Sequence, residues 1–485
     1  MISKKIQKIV ILSVVTSLIA PILFTANEGL AYGAIVATTP DGKGYLMELQ
    51  PGKLLMHLEG TGYEMGFQAG YLDPQSVVSL ACDDWFMNVI KGLLSADDVL
   101  LALIMQDVLN YNRLVNVLPN VPDSVLQANK AQIGDSLDDL LYKMLAICKV
   151  TCANNEHYVP QEYIDEMHGI VDGVTAAGYS VSYEYVRLLN MGMDAMLALT
   201  YPVVEPLLIW LNIFEFLSCS GFVVQGSATT TGHTYMGRHW QFTSYITKDH
   251  MLFQEFEPAN GYRFLSTSCA GFVGVTAAMN DQGIGIGNDM VPACDCNPDN
   301  FGMGTLLTSR YIAQHKAQLT DAMSFIQNSV RGCSWIYGIG DGRNGEIGGM
   351  ALETSASYCY ARTMSYKLPW YAFFADKQIE SKSNVVTYTN HYIYYNMKSY
   401  ADSTAITDSK DRYSWLTNAV LNVYGAINFD TATSLIDYLH PPNYDYYGSD
   451  LGQAVGCAIS SWDLTSLEAR GLWGHYDDPW ATYSL

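Results

Sequence analysis

Positive charge is scarce in this chain. Twenty-six Lys and Arg stand against 48 Asp and Glu, a formal charge of -22, and a surface of that sign repels nucleic-acid phosphates and anionic membranes. Nucleic acid is therefore excluded as a partner. Charge of either sign is thin, 15% of residues against 49% hydrophobic, so the chain can fill a large core and lacks the high-charge composition of disorder. The apolar run nearest the start, Ile9 to Ala20, falls short of the roughly 20 residues a membrane span needs. No period of 20 to 50 residues recurs, which excludes a solenoid or propeller. Familiar catalytic signatures are missing as well: no G-x-S-x-G, no H-E-x-x-H and no G-x-x-x-x-G-K-[ST]. One G-x-G-x-x-G runs from Gly340 to Gly345, but it leads into a strand, where a dinucleotide site would open a helix. The Cys148/Cys152 and Cys294/Cys296 pairs have spacings unusual for zinc and read better as disulfide or packing residues. No metal and no cofactor are expected.

What is present begins with Lys4, Lys5 and Lys8, then the apolar run, then small residues ending Gly29-Leu30-Ala31. This is the order of a secretory signal peptide over residues 1–31, cleaved after Ala31. The expected location is outside the cell, secreted or at its surface. From about Tyr63 to Phe216 the apolar spacing is helical, as in DSLDDLLYKMLAICK from Asp135. After Cys219 it changes to short strands joined by turns. SGFVVQGSA and YMGRHWQF flank TTTGHT, LFQEFEP and YRFLSTS flank Ala259-Asn260-Gly261, and FVGVTAAM and IGIGND flank Asn280 to Gly283. Helices are predicted over 304–316 and 320–330, the second with Thr320 as N-cap, and again near Asp411 and Thr431. Strands, a helix pair and strands again predict an α+β fold, two antiparallel sheets packed between helical layers.

Ser218-Cys219-Ser220-Gly221-Phe222 sits at the junction of the two textures, and Gly237-Arg238-His239-Trp240-Gln241 lies on the return strand. Cysteine at a strand edge is usually a small buried hydrophobe. Across a tight hairpin, however, Arg238 can lie beside Cys219, and a neighbouring cation favours the thiolate.

Six stretches in order carry a resemblance: GTGYEMGFQAG at Gly60, EMHGIVDGVTAAG at Glu166, the Cys219 hairpin, AGFVGVTAAMNDQGIGIGND at Ala270, TNHY at Thr389 and SKDRY at Ser409. The chain resembles the penicillin-acyltransferase-like (isopenicillin-N acyltransferase-type) cysteine branch of the N-terminal-nucleophile hydrolases, a group similar to choloylglycine hydrolases and acid ceramidases. The resemblance implies a four-layer αββα sandwich. It implies self-cleavage between Ser218 and Cys219, dividing the chain into a mostly helical piece, 32–218, and a catalytic piece, 219–485, that stay associated. The freed α-amine, which titrates near pH 7.7 to 8.0, then serves as base for the Cys219 thiol. Carried over by residue, Arg238 is the arginine beside the nucleophile, Asn390 an oxyanion-hole donor, Asn288 a second asparagine of the site, and Arg412 a further arginine near the pocket. Where the family has G-R-N-x-D, this chain has His239 and Gln241, and Gln241 can accept a hydrogen bond from the amine but supplies no charge to position it. Ser268-Cys269-Ala270-Gly271-Phe272 mimics the first phrase, yet no Gly-Arg hairpin follows Cys269.

The implied activity is hydrolysis of a linear amide, or transfer of its acyl group, with a small-molecule substrate. The apolar stretch from Ala195 to Leu217 reads as buried helix or as a wall for a lipid-like acyl chain. Alternatives are a phospholipase-B-like lipid hydrolase and a non-catalytic exported binding protein on a degenerate fold of the same type.

Overall fold

The computed structural model describes residues 33–94, 98–211, 219–242, 247–343, 348–364, 366, 382–397, 407–437 and 457–485. The expected leader and Ser218 lie outside the described residues, as does the end of the apolar stretch from residue 212 on.

Three strands come first: β1 (Ala34–Thr38), β2 (Tyr45–Gln50) and β3 (Lys53–Gly60). Among the described residues, nine α-helices follow before the next strand: α1 (Gly62–Leu72), α2 (Pro74–Leu80), α3 (Asp83–Leu94), α4 (Asp98–Val108), α5 (Tyr111–Val117), α6 (Asp123–Asn129), α7 (Leu137–Asn155), α8 (Gln161–Ala176) and α9 (Tyr183–Leu211). Local chemistry explains several of the starts. Thr61 and Glu64 close a capping box at α1, and Ser136 and Asp139 close one at α7, each satisfying backbone N–H groups that the first helical turn leaves unpaired.

The hairpins predicted after Cys219 are present. They comprise β4 (Ser220–Gly226) with β5 (Gly232–Trp240), β6 (Met251–Pro258) with β7 (Phe264–Cys269), and β8 (Ala277–Asn280) with β9 (Ile284–Met290). Helices α10 (Thr305–His315) and α11 (Leu319–Asn328) come next; α11 is capped at Gln318, so Thr320 lies inside its first turn. The remaining elements are β10 (Trp335–Asp341), β11 (Gly349–Thr354), β12 (Cys359–Thr363), β13 (Val385–Thr389), α12 (Thr407–Asn422), α13 (Phe429–Asp437), β14 (Ala458–Asp463), β15 (Glu468–Leu472) and β16 (Ala481–Ser484). The phrase that starts at Gly340 begins inside β10, and its last two residues, 344 and 345, lie outside the described residues.

Among the described residues the strands form a ten-stranded sheet, ordered β1-β2-β3-β6-β7-β8-β9-β10-β11-β12, and a six-stranded sheet, ordered β13-β4-β5-β14-β15-β16. The large sheet includes the three N-terminal strands, and β3 pairs with β6 in parallel, Leu55 opposite Phe253. A parallel pair needs a long crossover, and here the helical segment with the Cys219 hairpin supplies it.

The sheets pack face to face through β4, β5, β9, β10 and β11. Helices α1, α10 and α11 cover the outer face of the large sheet, and α12 and α13 cover that of the small one. This is the four-layer αββα order. Strand alternation on β4 sorts its side chains accordingly. Phe222 and Val224 join Leu416, Val420 and Ile436 under α12 and α13, while Val223 enters the core between the sheets.

Candidate active site

In the β4–β5 hairpin Ser220 pairs with His239 and Gly221 with Arg238. Cys219 is two residues before Gly221, so alternation puts its thiol on the face that carries Arg238, toward the large sheet. Both side chains are buried, Cys219 with 3% and Arg238 with 1% of its surface exposed. The Cys219 Sγ lies 3.6 Å from the Gln241 carbonyl oxygen, which accepts from it, and the guanidinium of Arg238 is within hydrogen-bonding reach of the sulfur. Burial pushes the thiol up, Arg238 pulls it down and Asp289 pushes it up again. The thiol therefore rests as S–H, with the cation that would stabilise a thiolate already beside it.

Arg238 crosses the gap between the sheets. Its methylenes lie on Gly287, where an added Cβ would come 2.9 Å from its Cδ. Nη1 donates to the His239 carbonyl and Nη2 to the Asn288 carbonyl, and Nη2 also lies 3.2 Å from Asp289 Oδ1. Burial pushes the Asp289 carboxyl up to about 6, against the pull of Arg238 and Arg412.

Asn390 follows directly on β13, and Thr389 pairs with Ser220 on β4, so the antiparallel register sets Asn390 opposite Cys219. Arg412, on α12, ties the two together. Nη1 donates to the Cys219 carbonyl and to Ser220 Oγ, each at 2.7 Å, and Nη2 donates to Asn390 Oδ1 at 3.1 Å. With its oxygen held by Arg412, the Asn390 amide turns its nitrogen the other way and donates to the Met290 carbonyl at 2.8 Å. Glu353 fixes the turn that follows, accepting from the backbone N–H groups of Ile393 and Tyr394 and from Arg362.

The structure thus brings Cys219, Arg238, Asn390 and Arg412 together. It does not turn the Asn288 side chain to them. That amide donates to the Val275 carbonyl at 3.2 Å and to Ser309 Oγ on α10 at 3.0 Å, on the helical side of the sheet; only its carbonyl reaches Arg238. Residues on one strand alternate between faces, and Asp289 takes the inward position instead. Gln241 meets the thiol through its main-chain carbonyl. The rival Cys269 is fully buried against the Met251 sulfur at 3.3 Å, and burial lifts its thiol with no described cation to oppose it.

Beside Cys219 lies a cavity of about 30 Å³, room for a water molecule or two. Trp85 and Phe86 of α3, Met193 and Met196 of α9, Phe242 and Trp335 form much of its wall. Two residues that sequence reasoning missed complete the site's interior. Asp289 is one. The other is Tyr388, whose ring fits between Gly221 and Gly338; a Cβ on either would come within 2.3 Å of it.

Comparison with known proteins follows the same lines. Residues 228–435 match the family model described as acyl-coenzyme A:6-aminopenicillanic acid acyl-transferase, a span that begins after Cys219 and takes in Arg238, Asn288, Asn390 and Arg412. An uncharacterized protein of Archaeoglobus fulgidus is 39% identical over 472 residues, covering 96% of this chain and 72% of that one. Among solved structures, a Caenorhabditis elegans N-acylethanolamine-hydrolyzing acid amidase ortholog is 12% identical with a TM-score of 0.35, over 51% of this chain and 93% of that one. Penicillin V acylase from Agrobacterium tumefaciens is 12% identical with a TM-score of 0.36, over 53% and 83%. A mutant of conjugated bile acid hydrolase from Clostridium perfringens is 8% identical with a TM-score of 0.37, over 55% and 92%.

Residues 228–435 are thus similar to the penicillin acyltransferase-like family, on the stretch that holds Arg238, Asn390 and Arg412.

Proposed function

We propose that the protein cuts itself between Ser218 and Cys219 and then uses the Cys219 thiol to hydrolyse a linear amide with an apolar acyl group, or to transfer that group. One observation carries the reading: a buried thiol flanked by Arg238, with Arg412 bonded both to the Cys219 carbonyl and to Asn390, opens on an apolar cavity.

In the cut, the thiol adds to the Ser218 carbonyl carbon. The C–N bond to Cys219 breaks as the thiol proton passes to nitrogen, leaving a thioester. Water hydrolyses the thioester, its oxygen staying on Ser218 as carboxylate and a proton returning the sulfur to thiol. The new α-amine then takes the thiol proton when a substrate amide binds, and the thiolate adds to the substrate carbonyl. Asn390, whose amide has a second N–H besides the one bonded to the Met290 carbonyl, would donate to the resulting oxyanion, a role whose loss slows acyl transfer roughly a hundred- to a thousand-fold. The amine of the substrate leaves with the proton, and water or another acceptor takes the acyl group from sulfur. The basic, apolar and small-residue regions of 1–31 support export, which fractionation of the producing cells tests.

The deciding experiment is intact-mass analysis followed by acyl-enzyme trapping. Wild type should give two chains meeting at Ser218 and Cys219, and Cys219→Ala should give one. Incubated with N-acyl amides of rising length, the cut protein should carry the acyl mass on Cys219. Trapping should rise with length, because each buried methylene contributes about 0.8 kcal/mol and Met193 and Met196 can repack to admit the chain. A Cys219→Ala protein that still splits at that bond removes the nucleophile assignment. A profile that favours acetyl removes the apolar acyl group alone.

A further inference from the structure

The proposed cut creates a charge in a dry place. Cleavage before Cys219 leaves an α-ammonium on a residue that is buried beside another cation, Arg238. Two unbalanced cations in one buried site would cost several kcal/mol.

The counter-charge stands on the facing sheet. Asp289 is fully buried and follows by two residues the Gly287 on which Arg238 rests, so alternation aims it at the same gap. It lies close enough to Cys219 to act on the thiol. Arg238 pairs with it at 3.2 Å, yet that contact is off the line of a hydrogen bond, and among the described residues neither carboxylate oxygen accepts one. A carboxylate offers about four acceptor sites and an ammonium three donors. The other ionisable groups described as facing Asp289 are Arg412 from α12, Cys219 beside β4, and Tyr388 from β13, whose buried hydroxyl is likewise without a hydrogen-bond partner among the described residues. Gln241, just past β5, brings only a neutral carbonyl to the sulfur.

We infer that Asp289, reaching across from β9, is the residue that holds the α-ammonium of Cys219 once the chain is cut, in place of an acid on the nucleophile's own hairpin. The inference rests on the self-cleavage reading. Asp289 is then a positioning residue: it orients the amine and, by favouring the ammonium form beside Arg238, makes the free amine a stronger base for the thiol proton.

The test titrates the amine in the processed protein. Competitive acetylation with trace acetic anhydride across pH, read by mass spectrometry of the peptide beginning at Cys219, gives its pKa directly. A nearby anion favours the charged form, so Asp289→Asn should lower that pKa by about one unit, and Asp289→Glu should recover most of it. A second measurement avoids any change at Asp289. With aspartate labelled at its carboxyl carbon, the Asp289 signal should titrate about one unit lower in the processed wild type than in uncut Cys219→Ala, because the ammonium arrives only with the cut. Identical titrations in a processed protein overturn the inference and leave the self-cleavage reading standing. A wild type that never exposes an amine on Cys219 overturns both.

Discussion

At the scale of single residues, Arg238 faces the strictest demands, since it must balance Asp289 and favour the Cys219 thiolate at once. Arg238→Ala should shift alkylation of Cys219 by iodoacetamide to higher pH, and Arg238→Lys should shift it less, because lysine keeps the charge but loses the planar fork. The same change to alanine should destabilise the fold by roughly 3–5 kcal/mol, the cost of stranding one member of a buried pair, read as the urea midpoint. An alkylation profile that does not move would leave Arg238 a purely structural part. That Cys219, Arg238, Asn390 and Arg412 lie together is legible in the sequence, because each sits in a short phrase whose order along the chain is kept. Asp289 was not. It adjoins Asn288 in the same phrase, and only the register of β9 against its neighbours tells which of the two looks inward; a slip of one residue exchanges their faces.

Secondary-structure elements were legible where turns mark them and hidden where partners are remote. The hairpins after Cys219 announce themselves through Asn, Asp and Gly in their turns, whereas β1 to β3 precede a helical region and find their sheet partner, β6, only after it. The phrases GTGYEMGFQAG and EMHGIVDGVTAAG now have a physical reason. They are α1 and α8, crossing so closely that a Cβ on Gly62, Gly66 or Gly70 would come within 2.2 Å of a carbonyl oxygen of α8, and one on Gly169 or Gly173 equally near α1. The crossing matters beyond itself, because Glu166 on α8 pairs with Arg310 on α10 at 3.0 Å, both buried, and Arg310 lies over Phe256 and Phe264 of the large sheet. Gly66→Ala should therefore cost more than the roughly 1–3 kcal/mol common for overpacking, since backbone and not a flexible side chain must give way. Thermal melting of Gly66→Ala against Gly134→Ala measures it: Gly134 has open space for a methyl group and bears only the strain of its positive φ. A Gly66→Ala protein melting no lower than its comparator would refute the close crossing.

For the whole molecule, buried carboxyls set the dependence of stability on pH. Burial raises Asp194 and Asp289 to about 6 each from 3.8. Between those values the folded chain holds protons that the unfolded chain has released, so each carboxyl favours folding below pH 4, by on the order of 3 kcal/mol, and loses that contribution as pH rises to 6. Glu255, lowered through His57 and Arg263 against the effect of burial, and Asp478, lowered through the His475 N–H and Lys53, act oppositely and lose their contribution as pH falls below about 4. Urea midpoints of uncut Cys219→Ala should peak in mild acid, near pH 4 to 5, and decline toward pH 7; a midpoint that climbs from 5 to 7 contradicts this balance. The layered order itself was legible from the alternation of helical and strand texture, but the membership of the large sheet was not.

That membership bears on what happens when the enzyme is heated. Uncut, the protein folds as one molecule finding itself. Were the chain cut as proposed, β3 and β6 would belong to separate polypeptides that share a sheet, and the helical piece would be as much a subunit as a leader. Refolding would then be a second-order encounter between two fragments, each with an unprotected sheet edge, and collapse into aggregate would compete with it. Maturation would thus exchange a reversible equilibrium for a lifetime, and an enzyme that has lost its partner fragment once has no simple route back.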